Sequence, residues 1–202
     1  MSRIVLSVVL AMWLVGCSSQ PGVQPSQESA APPAVPSQPS VGPVTPPATD
    51  EEMIKSAVSA APESISKDAT VIALDEKMQP RTLRQGSSMW TCIPDGPSPG
   101  VDPMCVDKNG MEFLQAWIAH KDPPANKIGF GYMLAGGSDA SNEDPFATAP
   151  AEGHAWVETG PHVMIFNIGN RFEGYPATHD DTSKPYVMWG NTPYAHLMIP
   201  VK

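Results

Sequence analysis

Two short stretches of the sequence carry the side chains best suited to bind a metal ion. His162 and Met164 stand two residues apart in GPHVMIFN, and His196 and Met198 repeat this spacing in YAHLMIPV. Side chains at positions i and i+2 of a β-strand point to the same face of its sheet. Imidazole and thioether ligands together favour copper, chiefly Cu(I), over hard cations. If the two strands are neighbours in register, the four side chains would converge on a copper site.

The same two stretches also have the pattern of ordinary core strands. Val163 and Ile165 occupy the opposite face of the first strand, and Leu197 and Ile199 that of the second. Methionine fills irregular gaps in a core, and a half-buried histidine can be satisfied by a neighbouring carbonyl. Nothing in the sequence establishes that the strands are adjacent, so the copper site and the packed core are both open interpretations.

The strands that would carry these residues belong to residues 51–202, a segment of roughly 150 residues and therefore one globular domain. Short apolar runs separated by glycine, proline and asparagine predict mostly β-strands. NGMEFLQAWIAHK has the apolar spacing of an α-helix, with Asn109 as its N-cap and Glu112 at the capping-box position. We therefore expect an α+β or mainly β fold, with an antiparallel or mixed sheet and one or two helices packed on it.

One predicted strand, KIGFGYML, divides its side chains unevenly between its two faces. Phe130 and Tyr132 alternate with Gly129 and Gly131. The pattern predicts a strand with one face of large residues and one nearly bare face.

The first 16 residues predict export. They contain a positive charge at Arg3 and an apolar stretch from Ile4 to Val15, too short for a spanning helix of about 20 residues. The tetrad Leu14-Val15-Gly16-Cys17 resembles the lipobox of bacterial lipoproteins, whose cysteine becomes the new N-terminus and carries acyl chains on its sulfur and its amine. The resemblance implies that Cys17 is lipidated and holds the protein on a lipid bilayer without spanning it.

Residues 17–50 predict a disordered tether that follows the signal peptide. Nine prolines lie between Ser18 and Asp50, and this stretch has no aromatic residue. It cannot bury enough apolar surface to offset the entropy of ordering, so an extended spacer is expected. Ser18 stands where aspartate is a retention signal in many Gram-negative lipoproteins. The resemblance therefore favours the outer membrane where the cell has one, with the domain in the periplasm or on the cell surface.

The acidic balance of the chain excludes one class of partner. The formal net charge is −9, and removal of Arg3 with the signal peptide takes it to −10. A nucleic-acid-binding protein needs a basic patch, and the sequence has no cluster of lysine and arginine. We therefore expect no nucleic acid, and no attraction to anionic lipid beyond the anchor.

Two cysteines remain beyond the lipobox, on either side of a loop rich in proline and glycine. An exported chain meets an oxidising compartment, so Cys92 and Cys105 are predicted to form a structural disulfide. A redox pair usually has the C-x-x-C spacing, and a thiolate metal site usually brings a second close cysteine or histidine. Neither pattern is present.

The sequence contains no recognisable catalytic motif. H-E-x-x-H, G-x-G-x-x-G and the phosphate-binding G-x-x-x-x-G-K-[ST] are all absent. The one match to G-x-S-x-G, GPSPG at residues 96–100, lies in the proline-rich loop between the two cysteines and not at the strand-to-helix turn that a nucleophile elbow needs. The loop GGSDASNEDP, residues 136–145, is rich in oxygen-bearing side chains, which calcium prefers as ligands. It is not an EF-hand, because Asp144 stands where the loop glycine is needed. The alternative is a solvated loop whose side chains bond their own backbone.

Several segments of the domain resemble an uncharacterised family of bacterial exported proteins. They are APESISKDATV, WTCIPDGP, DPMCVDKN, FGYMLAGGSDASNEDPFAT, GPHVMI and MWGNTPYAHLMIPV, which together cover the chain from Ala61 onward in order. The resemblance implies kinship, and it carries no established activity. No residue gains a catalytic or ligand role from it.

Three functions are compatible with these observations. The first is a membrane-anchored, non-catalytic binding or envelope-accessory domain, with no cofactor and an unidentified protein or small-molecule partner. The second is a copper-binding domain that uses the paired His-x-Met strands. The third is an enzyme whose site is assembled only in space. The absence of a catalytic motif favours the first function.

Overall fold

The computed structural model describes residues 46–169 and 171–201. The signal peptide, Cys17 and most of the proline-rich segment lie outside the described residues, so the anchor and the tether stay predictions. The described part contains three helices and ten strands. In chain order they are α1 (Asp50–Ser59), α2 (Glu63–Ser66), β1 (Thr70–Leu74), β2 (Pro80–Arg84), β3 (Thr91–Ile93), β4 (Met104–Val106), α3 (Lys108–Ile118), β5 (Gly129–Met133), β6 (Gly137–Asp139), β7 (Val157–Thr159), β8 (His162–Phe166), β9 (Tyr186–Met188) and β10 (His196–Pro200).

The strands form one large sheet and one small sheet. The large sheet has the order β2-β1-β3-β4-β5-β8-β10-β9, and the small sheet pairs β6 with β7. Only β1 and β3 are parallel among the paired strands of the described residues, so the large sheet is mixed. With 16% helix and 26% strand, the fold is α+β, which confirms the predicted class. None of the helices in the described ranges is long and apolar enough to cross a bilayer.

The two longer helices begin at side-chain caps. Thr49 caps α1 in a reciprocal capping box with Glu52. The N-cap of α3 is Asp107, whose carboxylate accepts from Gly110 N at 2.7 Å. The prediction of Asn109 as the cap is therefore wrong. Asn109 lies inside the first turn, and its side-chain amide donates to Ile128 O at 2.8 Å instead.

Adjacent residues of β4 point to opposite faces of the large sheet, and each face has its own hydrophobic cluster. Cys105 pairs with Tyr132 on the face that packs against α1, whereas Val106 pairs with Gly131 on the face that packs against α3. We call these the α1 face and the α3 face. On the α1 face Cys105 is joined to Cys92 by a disulfide between directly paired residues, as predicted.

The bare face of β5 is confirmed, and it has a packing reason. A Cβ built on Gly129 would lie 2.4 Å from Gly110 N, because the first turn of α3 approaches the strand at backbone distance. The backbone N–H of Phe130 also donates to the Asp107 carboxylate at 3.1 Å. One carboxylate therefore caps the helix and fastens it to the strand.

Candidate functional site

The strands that carry the two His-x-Met pairs are neighbours. β8 and β10 pair antiparallel, with Met164 directly opposite Met198. All four predicted side chains lie on the α3 face, and all four are buried. The two histidines are not opposite one another, because His196 faces Phe166 and His162 faces Pro200. The register thus joins the two methionines in the middle and places the histidines towards opposite ends of the strand pair.

The flanking strands add two methionines that sequence analysis did not assign to the site. Met133 of β5 stands opposite His162, and Met188 of β9 stands opposite His196. Each histidine therefore has one methionine two residues along its own strand and another directly across from it. The cross-strand partners depend on strand order, which the sequence does not reveal.

These side chains form the floor of a cavity of about 550 Å³. Helix α3 supplies one wall through Phe113 and Trp117, and the small sheet supplies another through Asp139 and Thr159. A fifth methionine, Met104 of β4, also lines the space. The lining is thus mainly apolar, with thioether and aromatic side chains prominent and polar groups at defined positions.

Both histidines are held in the same way. His162 Nδ1 lies 2.7 Å from Gly160 O, and His196 Nδ1 lies 3.0 Å from Tyr194 O. A carbonyl oxygen can only accept, so in each case Nδ1 carries the hydrogen and Nε2 of the neutral ring keeps its lone pair. His162 Nε2 is buried and has no hydrogen-bond partner among the described residues.

Burial keeps both imidazoles neutral at pH 7. Desolvation lowers the pKa of His196 to about 4, although the Tyr194 carbonyl opposes the shift. Desolvation also lowers the pKa of His162, against the opposing effect of the Gly160 carbonyl. A neutral imidazole with a free Nε2 is the form that binds metals or accepts a hydrogen bond from a ligand.

The surroundings of the two histidines differ. His196 stands among aromatic rings, with centroid distances of 5.0 Å to Trp189, 5.4 Å to Phe166 and 6.0 Å to Phe113. His162 lies beside Gly137 of the small sheet, where an added Cβ would be 3.0 Å from its Cε1. His196 is therefore enclosed by rings, whereas His162 lies where the two sheets meet at the cavity.

The cavity also has an acidic end. Burial raises the pKa of Asp139 to about 6, although the backbone N–H of Ser141, 2.9 Å from its Oδ1, opposes the shift. Tyr186 bonds Thr159 across 2.6 Å, and its pKa is raised to about 12, first by burial and further by the Asp139 charge. Burial likewise raises the pKa of Asp102. Neither cavity histidine is hydrogen-bonded to a carboxylate within residues 46–169 and 171–201.

The oxygen-rich loop forms the local backbone bonds expected of its alternative interpretation. Asp139 accepts from Ser141 N, and Asp144 accepts from Phe146 N at 2.9 Å. Asn142 turns inward and donates to Ala177 O at 2.9 Å. Across the described part of the chain, no three side chains of the His, Cys, Asp and Glu types gather as a metal site.

The fold and the site define an α+β domain with one disulfide in its described part and a methionine-lined cavity. No protein-family model matches the chain, and no curated protein or solved structure matches it either.

Proposed function

We propose that the chain is an exported, lipid-anchored binding domain without catalysis, and that its cavity takes a small, largely apolar ligand. The cavity itself carries the proposal. Its volume of about 550 Å³ falls within the range of small-molecule sites, and its lining combines apolar side chains with a few polar groups. His162 Nε2 would orient the ligand by accepting a hydrogen bond from it.

The methionines support a site that adapts to its ligand. Met104, Met133, Met164, Met188 and Met198 all line the cavity. An unbranched thioether side chain repacks at low cost and is polarizable, so surfaces rich in methionine accommodate ligands of different shape. This favours binding over a reaction that would need one fixed geometry.

Export and anchoring are supported by the N-terminal sequence and by the disulfide. The lipobox-like tetrad ending at Cys17 would provide the bilayer anchor, and the prolines up to residue 50 would hold the domain clear of it. The Cys92–Cys105 disulfide suits an oxidising compartment such as the cell envelope.

A pair of matched variants tests the cavity. N-phenyl-1-naphthylamine, an uncharged apolar fluorophore, is expected to bind with saturable one-to-one enhancement. Ala147 lines the cavity and is partly exposed, so Ala147→Trp should fill the space and abolish the signal. Ala149 is exposed and outside the lining, so Ala149→Trp should bind like the unaltered chain. Absence of saturable binding, or equal binding by both variants, contradicts the proposal.

Replacement of the lipobox cysteine tests the anchor. The unaltered chain is expected to incorporate radiolabelled palmitate and to sediment with membranes. Cys17→Ala removes the acylated sulfur, so the label should be lost and the domain should move to the soluble envelope fraction. A variant that still sediments with membranes would show that the chain is held there by something other than Cys17.

A further inference from the structure

We propose that the cavity holds a cuprous ion at His162, with Met133 and Met164 as its thioether ligands. This inference goes beyond the proposed function, because it assigns a metal ion to the same cavity. It changes the set suggested by the sequence: Met133 joins, whereas His196 and Met198 remain outside the coordination sphere.

The position of Gly137 shows that an imidazole and a thioether meet in the cavity. The point where its Cβ would stand is 3.0 Å from His162 Cε1 and 3.5 Å from Met133 Sδ. Cε1 lies between the two ring nitrogens, so the edge of the imidazole and the Met133 thioether border the same small volume. Met164 lies two residues along β8 on the same face.

The His162 ring makes the hydrogen bond that is typical of a metal-ligating histidine. Its Nδ1–H donates to Gly160 O at 2.7 Å, which is the outer contact that usually fixes a ligating histidine. Its Nε2 is buried without a partner among the described residues. A buried acceptor without a partner is rare in folded proteins, and a ligand at this point would satisfy it.

The donor set selects for a soft, singly charged ion. One imidazole and two thioethers suit Cu(I), whereas Mg²⁺ and Ca²⁺ require oxygen ligands. These three donors are all neutral, so a monovalent ion carries less charge into the buried site than Zn²⁺ or Cu²⁺ would. The Asp139 and Asp102 carboxylates line the same cavity and would offset the single positive charge.

His196 is assigned to packing in this arrangement. Three aromatic rings surround it, from Trp189 at 5.0 Å to Phe113 at 6.0 Å. It lies in the same row of the sheet as Phe166, and the row of Met164 and Met198 lies between it and the row that holds His162 and Met133. Variants of His162 and His196 therefore have different expected effects on copper.

Competition with bicinchoninate, whose Cu(I) complex is coloured, tests the site in the purified full-length chain under anaerobic reducing conditions. The unaltered chain should withhold one Cu(I) per molecule. Met133→Leu conserves volume, so it should keep the fold and weaken Cu(I) affinity about tenfold or more. Met89→Leu is the matched control at a side chain that is 59% exposed, and its affinity should be unchanged. Equal affinities in the two variants, or no retained copper, would overturn the inference.

X-ray absorption at the copper edge gives a second measurement that does not depend on affinity. The unaltered chain should show one nitrogen and two sulfur neighbours, and Met133→Leu should show one sulfur fewer. A spectrum dominated by oxygen and nitrogen would exclude the assigned ligands.

The fluorophore and Cu(I) measurements test the two proposals independently. Binding of N-phenyl-1-naphthylamine without Cu(I) retention would leave the apolar binding site and reject the copper site. Retention of Cu(I) with the predicted sulfur neighbours, but without binding of the fluorophore, would reject the apolar ligand and leave the copper site.

Discussion

The two faces of the large sheet are built from different materials. On the α1 face, Ala57, Ala60 and Val71 pack without exposed surface around the Cys92–Cys105 disulfide. On the α3 face, five methionines and several aromatic rings surround a cavity of about 550 Å³. Small side chains and the disulfide leave the α1 face little conformational freedom. The flexible methionine side chains allow the α3 face to repack around a ligand. The fold therefore places its rigidly packed part on the α1 face and the part that can receive a ligand on the α3 face.

Removal of the disulfide should have the largest effect and should act on the α1 face. The two residues are 13 apart in the chain, for which the loop-entropy model gives about 3 kcal/mol. Cys92→Ala with Cys105→Ala should therefore lower the free energy of unfolding by about 3 kcal/mol or more, measured by urea denaturation. Binding of N-phenyl-1-naphthylamine by the folded variant should be unchanged. Loss of binding while the variant remains folded would show that the two faces are coupled.

Two glycines of β5 offer a matched pair on the α3 face. Gly129→Ala would bring a Cβ within 2.4 Å of the Gly110 backbone, which cannot yield without displacing α3. Overpacking of this kind costs about 2 to 3 kcal/mol. Gly131→Ala meets side chains and no backbone, namely the flexible end of Met164 at 2.8 Å and the Phe166 ring at 3.0 Å, so its cost should be lower, about 1 kcal/mol. Similar melting temperatures for the two variants would contradict the adaptable character assigned to the methionines.

The raised pKa of Asp139 should make the free energy of unfolding depend on pH. Asp139 has a pKa of about 6 in the fold, against an ordinary value of 3.8 for this carboxyl group. The folded state thus binds more protons between about pH 4 and 6, and this carboxyl lowers stability as the pH rises through that window. Asp139→Asn should therefore raise the free energy of unfolding at pH 7, by at most about 2 kcal/mol after allowance for its partial exposure.

The pH profile of the same variant provides the control. His196 acts in the opposite sense, because its pKa of about 4 lies below the ordinary histidine value of 6.5, so stability is lost as the pH falls through that range. In the unaltered chain these two effects oppose each other, so Asp139→Asn should make stability rise more steeply from pH 4 to 6.5. Urea midpoints at pH 4.5, 5.5 and 7 measure this, and an unchanged profile would contradict the burial of Asp139.

Replacement of one methionine outside the assigned copper ligands should have the smallest effect. Met198→Leu keeps the volume and the apolar character of a buried side chain, so the change in stability should stay below about 1 kcal/mol. Copper affinity should also stay within about twofold of the unaltered chain if His162, Met133 and Met164 are the ligands. A loss comparable to that of Met133→Leu would bring Met198 into the coordination sphere.

Features that depend on residues close together in the chain could be predicted from the sequence. The alternation in HVMIF and HLMIP predicted which side chains share a face, because the period of a strand is a property of the backbone. The disulfide followed from two cysteines in a chain that is predicted to be exported. The bare face of β5 followed from Gly129 and Gly131.

The features that the sequence did not predict depend on contacts between residues far apart in the chain. Met133 and Met188 join the site only because β5 and β9 flank the β8–β10 pair, and no short-range signal encodes that order. The N-cap of α3 is Asp107 and not the predicted Asn109. The Asp107 carboxylate accepts both from Gly110 N in the helix and from the N–H of Phe130 on β5, and the second contact cannot be read from the local sequence. Burial of Asp139 depends on the small sheet covering the cavity, so its raised pKa could not be predicted from the loop sequence alone.

The hydrogen bond that orients each histidine has a consequence for protein engineering. In both strands the accepting carbonyl belongs to the residue two positions before the histidine, Gly160 in one case and Tyr194 in the other. One hydrogen-bonding contact of each ring therefore lies within three consecutive residues. Replacement of the residue that supplies the carbonyl keeps this contact, because the accepting oxygen belongs to the backbone.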